Sequence, residues 1–224
     1  MKLKNIPYLR ISAYLFGLMV LSLGIAVSVH SDLGCSPVAS IPYMLNLTTG
    51  LDMGIATTIW QCFLVVLQMV ILGNEFKPSM FLQIITSLVF GSLNAVACSV
   101  MGLFSYPASF LAQLLLICIG FTLCGFGIWL YSSAALTTMP SEGIVKVISE
   151  KYGKRFYTVK VAFDITSVII SASGCILFLR VLGSVGLGTV IIAFMQGTMA
   201  GFFARSFGKR LNSALKYEEE AIMR

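Results

Sequence analysis

The chain carries few residues able to do chemistry, and most of them sit inside apolar stretches. Asp164 lies in Val-Ala-Phe-Asp-Ile-Thr-Ser, about six residues into a long apolar run. A carboxyl at such a depth costs roughly 2.5–3.5 kcal/mol on insertion scales, so it must face protein or water, or be neutralised. Two readings follow: a polar group on a solute or proton path, or one half of an ion pair with Lys160 or Arg155. Gln61, Gln68, Gln83, Asn94, Gln113 and Gln196 are neutral groups of the same kind, suited to hydrogen bonds between helices. Gln196 and Asn94 stand out because small residues flank them and let helices approach.

Two turns carry the remaining chemistry. Ser36-Pro37 is a helix start, since Ser is a good N-cap and Pro is favoured at the first helical position. Thr138-Met139-Pro140-Ser141-Glu142-Gly143 does similar work later in the chain, with Glu142 in the first turn. A helix N-terminus presents unpaired N–H groups and a partial positive charge, a receptor for an anionic or polar solute if it points into a membrane. The alternative is a helix lying at the interface, with Lys146, Lys151 and Lys154 on lipid headgroups.

Several function classes lack the residues they need. The six cysteines form no CxxC pair and His30 is the only histidine, so neither a disulfide framework nor a zinc site is expected, and no cofactor motif is present. There is no GxSxG elbow, no HExxH and no pair of aspartates within a span, so an enzyme is not expected. His30 beside Asp32 reads as an interfacial residue or a member of a proton relay. The net charge of +6 does not indicate nucleic acid, because the basic residues sit at the ends of apolar runs, where they orient helices.

The elements that position these residues are membrane spans. Of the 224 residues 58% are hydrophobic and only 11% charged, against roughly 25% charged in an ordinary globular chain. Six stretches suffice for the roughly 20 apolar residues a bilayer needs, at 11–29, 55–72, 81–104, 110–131, 159–179 and 187–203. The first is too long for the 7–15 apolar residues of a signal peptide and reads as a permanent helix. Lys and Arg alternate between the connections. Lys2, Lys4 and Arg10 precede the first span, Lys77 follows the second, and Lys146, Lys151, Lys154, Arg155 and Lys160 crowd the fourth connection. The intervening connections hold only Arg180. This alternation puts both termini in the cytoplasm. Residues 206–224 form a cytoplasmic tail, in which Tyr217-Glu218-Glu219-Glu220 reads as a solvated helix end or as disordered. Gly197-Thr198-Met199-Ala200-Gly201 is a GxxxG pattern, a packing face on which a homodimer could form.

The two long connections resemble each other. A shift of 103 positions pairs Gly24 with Gly127, Ile25 with Ile128, Leu33 with Leu136, Pro37 with Pro140, Ile41 with Ile144 and Gly50 with Gly153, and sets Gln61 on Asp164. The expected fold is therefore all-α: six transmembrane helices in one domain, as two inverted three-helix repeats (about 11–104 and 108–205). Each repeat has a short polar turn and an amphipathic helix after its first span. The candidate solute or ion pathway is Ser36, Pro37, Gln61, Thr138, Pro140, Ser141, Glu142, Asp164 and Gln196.

Leu33-Gly34-Cys35-Ser36-Pro37, followed by Gly50, Gly54 and a span holding Gln61, resembles the YczE/YyaS/YitT-type bacterial membrane proteins. In that group a Gly-x-x-Pro turn follows the first helix and a Gly-rich segment opens the second. The second half departs from the pattern, with Thr137 where the glycine would stand. The resemblance implies a bacterial inner-membrane protein with a transporter-like layout and names no substrate. The expectation is a small secondary transporter or facilitator of a small polar or anionic solute. The alternative is a non-transporting accessory or scaffold protein of a biosynthetic or export system.

Overall fold

The computed structural model describes residues 8–104 and 109–223, and all regular structure among them is helical. Eight α-helices follow in order: α1 (Tyr8–Val29), α2 (Pro37–Thr49), α3 (Met53–Leu72), α4 (Leu82–Met101), α5 (Phe110–Ala134), α6 (Pro140–Lys151), α7 (Phe156–Leu179) and α8 (Leu187–Met223). Two 3₁₀ turns, Gly73–Glu75 and Pro78–Phe81, join α3 to α4. Six helices are long and apolar enough to cross a membrane: α1, α3, α4, α5, α7 and the Leu187–Leu211 part of α8. Lys2 and Lys4, two of the orienting charges, lie outside the described residues. The expected tail is a helical continuation of α8 as far as Met223.

Local signals set the helix ends. Pro37 and Pro140 occupy the first turns of α2 and α6, and Asp52 caps α3 by accepting from the N–H groups of Gly54 and Ile55. Ser36 holds the N-cap position of α2 but makes no capping bond, and Met139 rather than Thr138 is the N-cap of α6. In both, the proline supplies the helix start for which the hydroxyl residue was expected.

α1 and α5 pack antiparallel in close contact, because glycines line their seam. A Cβ on Gly17 would lie 2.6 Å from the backbone nitrogen of Tyr131, and one on Gly24 2.7 Å from that of Cys124. This register sets the two turns deep. Gly120, opposite Gly24 and Ser28, is ten residues into α5, about 15 Å along the helix. The 30–36 turn after α1 thus lies beside the body of α5, where Leu33 packs on Ile117, Phe121 and Ile192. At the other end α5 stops at Ala134, which clusters with Ala13, Tyr14 and Met139, short of the first residues of α1.

α2 and α6 lie between spans rather than along the surface. α2 packs on α7 and α3, and α6 on α3 and α7. Ser171 Oγ donates to the Ser40 carbonyl at 2.7 Å, and Gln68 Nε2 to the Pro140 carbonyl at 3.2 Å. Only one face of α6 is left for headgroups: the Lys146 side chain is 61% exposed and pairs with Glu150 at 3.9 Å.

The second half of the chain is the more open. α3 and α4 close on each other where Gly54 meets the backbone of Gly91. Shifted by 103, those glycines become Tyr157 and Phe194, both exposed aromatics, and α7 and α8 form no comparable interface. Side-chain bulk accounts for the difference.

Candidate functional site

Among the described residues a pair of cavities lies at opposite ends of the bundle, each beside one of the inset turns. The larger, about 550 Å³, is lined by Val29, His30 and Asp32 of the first turn, Tyr43, Asn46 and Leu47 of α2, Asp52 and Met53 of α3, and Cys98 and Ser99 of α4. Asp32 is held at a positive φ of 58°, a conformation that non-glycine residues seldom adopt. Asp52 is occupied in capping α3. His30 Nδ1 lies 2.9 Å from the Ala26 carbonyl. Burial pushes the Tyr43 hydroxyl up to about 12, with Cys35 and Asp32 adding to it, so this wall presents a neutral phenol. Burial likewise raises the Cys35 thiol, which is inert rather than nucleophilic.

The smaller cavity, about 280 Å³, is lined by Tyr131 and Ser132 of α5, Ala135, Leu136, Thr137 and Thr138 of the second turn, and Glu142 of α6. Ala135 has a positive φ of 50°. Pro140 starts α6 directly behind the cavity lining, between Thr138 and Glu142, and Glu142 in the first turn meets the end of α5. There Tyr131 donates to a Glu142 carboxylate oxygen. Burial raises the Glu142 pKa above its ordinary 4.5; the Tyr131 hydroxyl and the Lys160 ammonium act in the opposite direction without cancelling it. Tyr14 packs edge-on against Tyr131, with ring centroids 6.1 Å apart, and donates to Thr86 Oγ1 at 3.3 Å. A carboxyl in this setting can hold a proton or a cation at the cavity wall.

Buried polar side chains continue between the two ends. Gln68 and Gln83 pair through both amides at 3.0 and 3.3 Å, and Gln68 also ties down α6 at Pro140. Gln61 is 1% exposed, and its carbonyl oxygen has no hydrogen-bond partner among the described residues. Ser22 and Asn94 are equally buried, and the Ser22 hydroxyl and both amide atoms of Asn94 likewise lack a partner among the described residues.

Of the expected pathway residues, Thr138 and Glu142 come together in the smaller cavity, with the buried Pro140 and Ser141 supporting the helix start behind them. Ser36 and Pro37 are buried at the start of α2, next to the larger cavity's turn but outside its lining. Gln61, Asp164 and Gln196 line neither cavity. Asp164 accepts from Lys160 one turn before it, at 2.5 Å, which is the ion-pair reading of that residue. Gln196 sits on α8 where its backbone meets Gly125 of α5. Neither cavity joins Asp164, Gln61, Glu142 and Gln196, and the i,i+4 spacing lets Lys160 neutralise Asp164 on its own helix. Sequence reasoning missed Tyr131, Tyr43, Asn46 and Asp52. The last had a signal, being an Asp two residues before a glycine-led span.

Among the described residues no group of three or more His, Cys, Asp and Glu side chains is placed to hold a metal ion.

No solved structure matches the chain. Curated relatives do. An "Uncharacterized protein" of Haemophilus influenzae is 26% identical over 88% of this chain and 84% of its own length. Two proteins of Bacillus subtilis are each 25% identical. The "Uncharacterized membrane protein YczE" matches over 96% of this chain and 94% of its own, and the "Uncharacterized protein YyaS" over 85% and 90%. One of these relatives is named a membrane protein, in keeping with the six apolar helices. A model of the family of unknown function DUF6198 matches residues 8–205, nearly all of the helical bundle, and the chain is a membrane protein of that family.

Proposed function

We propose that the protein is a small secondary transporter or facilitator of a small polar solute across the bacterial inner membrane. The observation that carries this reading is the pair of cavities at opposite ends, each set at an inset turn, with buried polar side chains between them. The charge alternation makes the His30 cavity periplasmic and the Glu142 cavity cytoplasmic, with both termini inside. The carboxyls of Asp32 and Glu142 in the cavity walls favour an uncharged or cationic solute over the anion that the helix starts alone suggested.

Inverted repeats would generate this pair of cavities, and several features support them. The 103-residue shift carries the positive φ of Asp32 to Ala135 and that of Gly50 to Gly153. It carries α2 onto α6 and the start of α3 onto the start of α7. It also exchanges the two glycine contacts of the central seam, Gly17 with Gly127 and Gly24 with Gly120, while the contact of Cys124 with the Leu21 carbonyl maps onto itself. A two-fold axis in the membrane plane would pass through that contact.

The test is two-sided labelling. In a background lacking the six native cysteines, Ser99→Cys should react with a membrane-impermeant maleimide from the periplasmic side and Ser132→Cys from the cytoplasmic side. Labelling of both from one side, or of neither, refutes the transporter reading. A scaffold would instead use an exposed helix face. The candidate is α8, where a Cβ on Gly197 or Gly201 would meet nothing within 4 Å; a homodimer would form there.

A further inference from the structure

α1 and α4 run side by side in the same direction, and their register is marked at both ends. Tyr14 bonds to Thr86, 72 positions later, and a Cβ on Gly102 would face the His30 ring at the same spacing. Residues four apart share a helix face. The α1 column Tyr14, Leu18, Ser22 therefore opposes the α4 column Thr86, Phe90, Asn94, and Ser22 and Asn94 share one layer. Each is 1% exposed. Neither the Ser22 hydroxyl nor either amide atom of Asn94 makes a hydrogen bond among the described residues. Other span hydroxyls, such as Ser28 to Gly24, donate to the carbonyl four residues back; Ser22 does not.

A buried amide with both groups unmade is costly, and an apolar residue of similar size would pack without that cost. The layer lies between the α1–α5 seam and the wall of the larger cavity. Leu21, next to Ser22, makes the central contact of α1 with Cys124. Cys98, one turn or about 6 Å beyond Asn94, belongs to the wall of the larger cavity.

We infer that the Ser22–Asn94 layer is the hydrogen-bonding subsite for the solute, and that it takes a small uncharged molecule with a donor and an acceptor on neighbouring atoms, of the carboxamide class. The Asn94 amide offers one acceptor and one donor group side by side, and the Ser22 hydroxyl complements either. Neither Ser22 nor Asn94 is charged, so a charged ligand would gain no ion pair from them to offset its desolvation. This deepens the transporter reading and rests on it.

Thermal unfolding of the purified full chain tests the inference, with acetamide as probe and acetate and acetamidinium as isosteric charged controls. Acetamide raises the wild-type Tm and the charged controls do not. Asn94→Leu keeps the unliganded Tm or raises it by about 2–4 °C and abolishes the acetamide shift. Ser22→Ala, the milder variant, keeps its Tm and weakens acetamide about tenfold. A fall of several degrees in unliganded Asn94→Leu and Ser22→Ala would make these groups structural and overturn the inference. So would an acetamide shift that survives Asn94→Leu, a response to a charged control, or no wild-type response to acetamide. Two-sided labelling of the cavities judges transport separately: acetamide binding with failed labelling would remove the transporter and leave the subsite.

Discussion

Tyr131, near the end of α5, donates its hydroxyl to Glu142 in the first turn of α6, so one hydrogen bond ties the rim of the second inset turn to the helix that follows it. The bond favours the ionised carboxylate while burial favours the acid, and burial prevails.

That balance makes stability pH-dependent. A carboxyl with a folded-state pKa above its ordinary 4.5 binds its proton more tightly in the folded protein. Its contribution is therefore favourable at low pH and is lost as pH rises from about 4.5 through the raised value. Glu142→Gln should flatten this decline in Tm measured in detergent across that window. Tyr131→Phe should lower Tm and move the decline to higher pH. An unchanged pH profile in Glu142→Gln would rule out Glu142 as the titrating group.

The α1–α5 seam should be intolerant of bulk. Gly24→Ala places a methyl group against the Cys124 backbone and should destabilise by about 1–3 kcal/mol. Gly197→Ala, in open space on α8, should be neutral or slightly stabilising, since Ala is the better helix former. Equal losses in the two variants, compared by thermal unfolding, would contradict the packing described.

Gln68 and Gln83 should behave as a coupled pair. Gln68→Leu or Gln83→Leu alone leaves its partner's buried amide unsatisfied, at about 1–3 kcal/mol. The double Leu variant should lose less than the sum of the two. A double-mutant cycle reads the coupling directly, and a value near zero would show that the amides act independently.

Asp164 should matter for folding rather than for passage. Its pairing with Lys160 at 2.5 Å is partly exposed, so Asp164→Asn should cost about 1 kcal/mol or less and leave two-sided labelling intact. Loss of labelling at normal expression would return Asp164 to the pathway.

The sequence by itself determined the elements. Six apolar runs demand six spans because a bilayer core tolerates no unpaired backbone, and Pro37, Pro140, Gly50 and Gly153 mark two short helices because proline starts and glycine ends them. It also flagged Glu142 and Thr138, which do line a cavity. Only the tertiary structure decided which polar groups meet. Asp164 and Gln61 occupy matching positions under the 103-residue shift, yet Lys160 neutralises the first while the carbonyl oxygen of the second finds no partner among the described residues. The depth of the two turns was equally invisible, because it depends on how far α1 and α5 slide along the glycine seam. A helix period shows which face is apolar; it does not show the register in which two such faces lock, and that register brought Tyr14 to Thr86 across 72 positions.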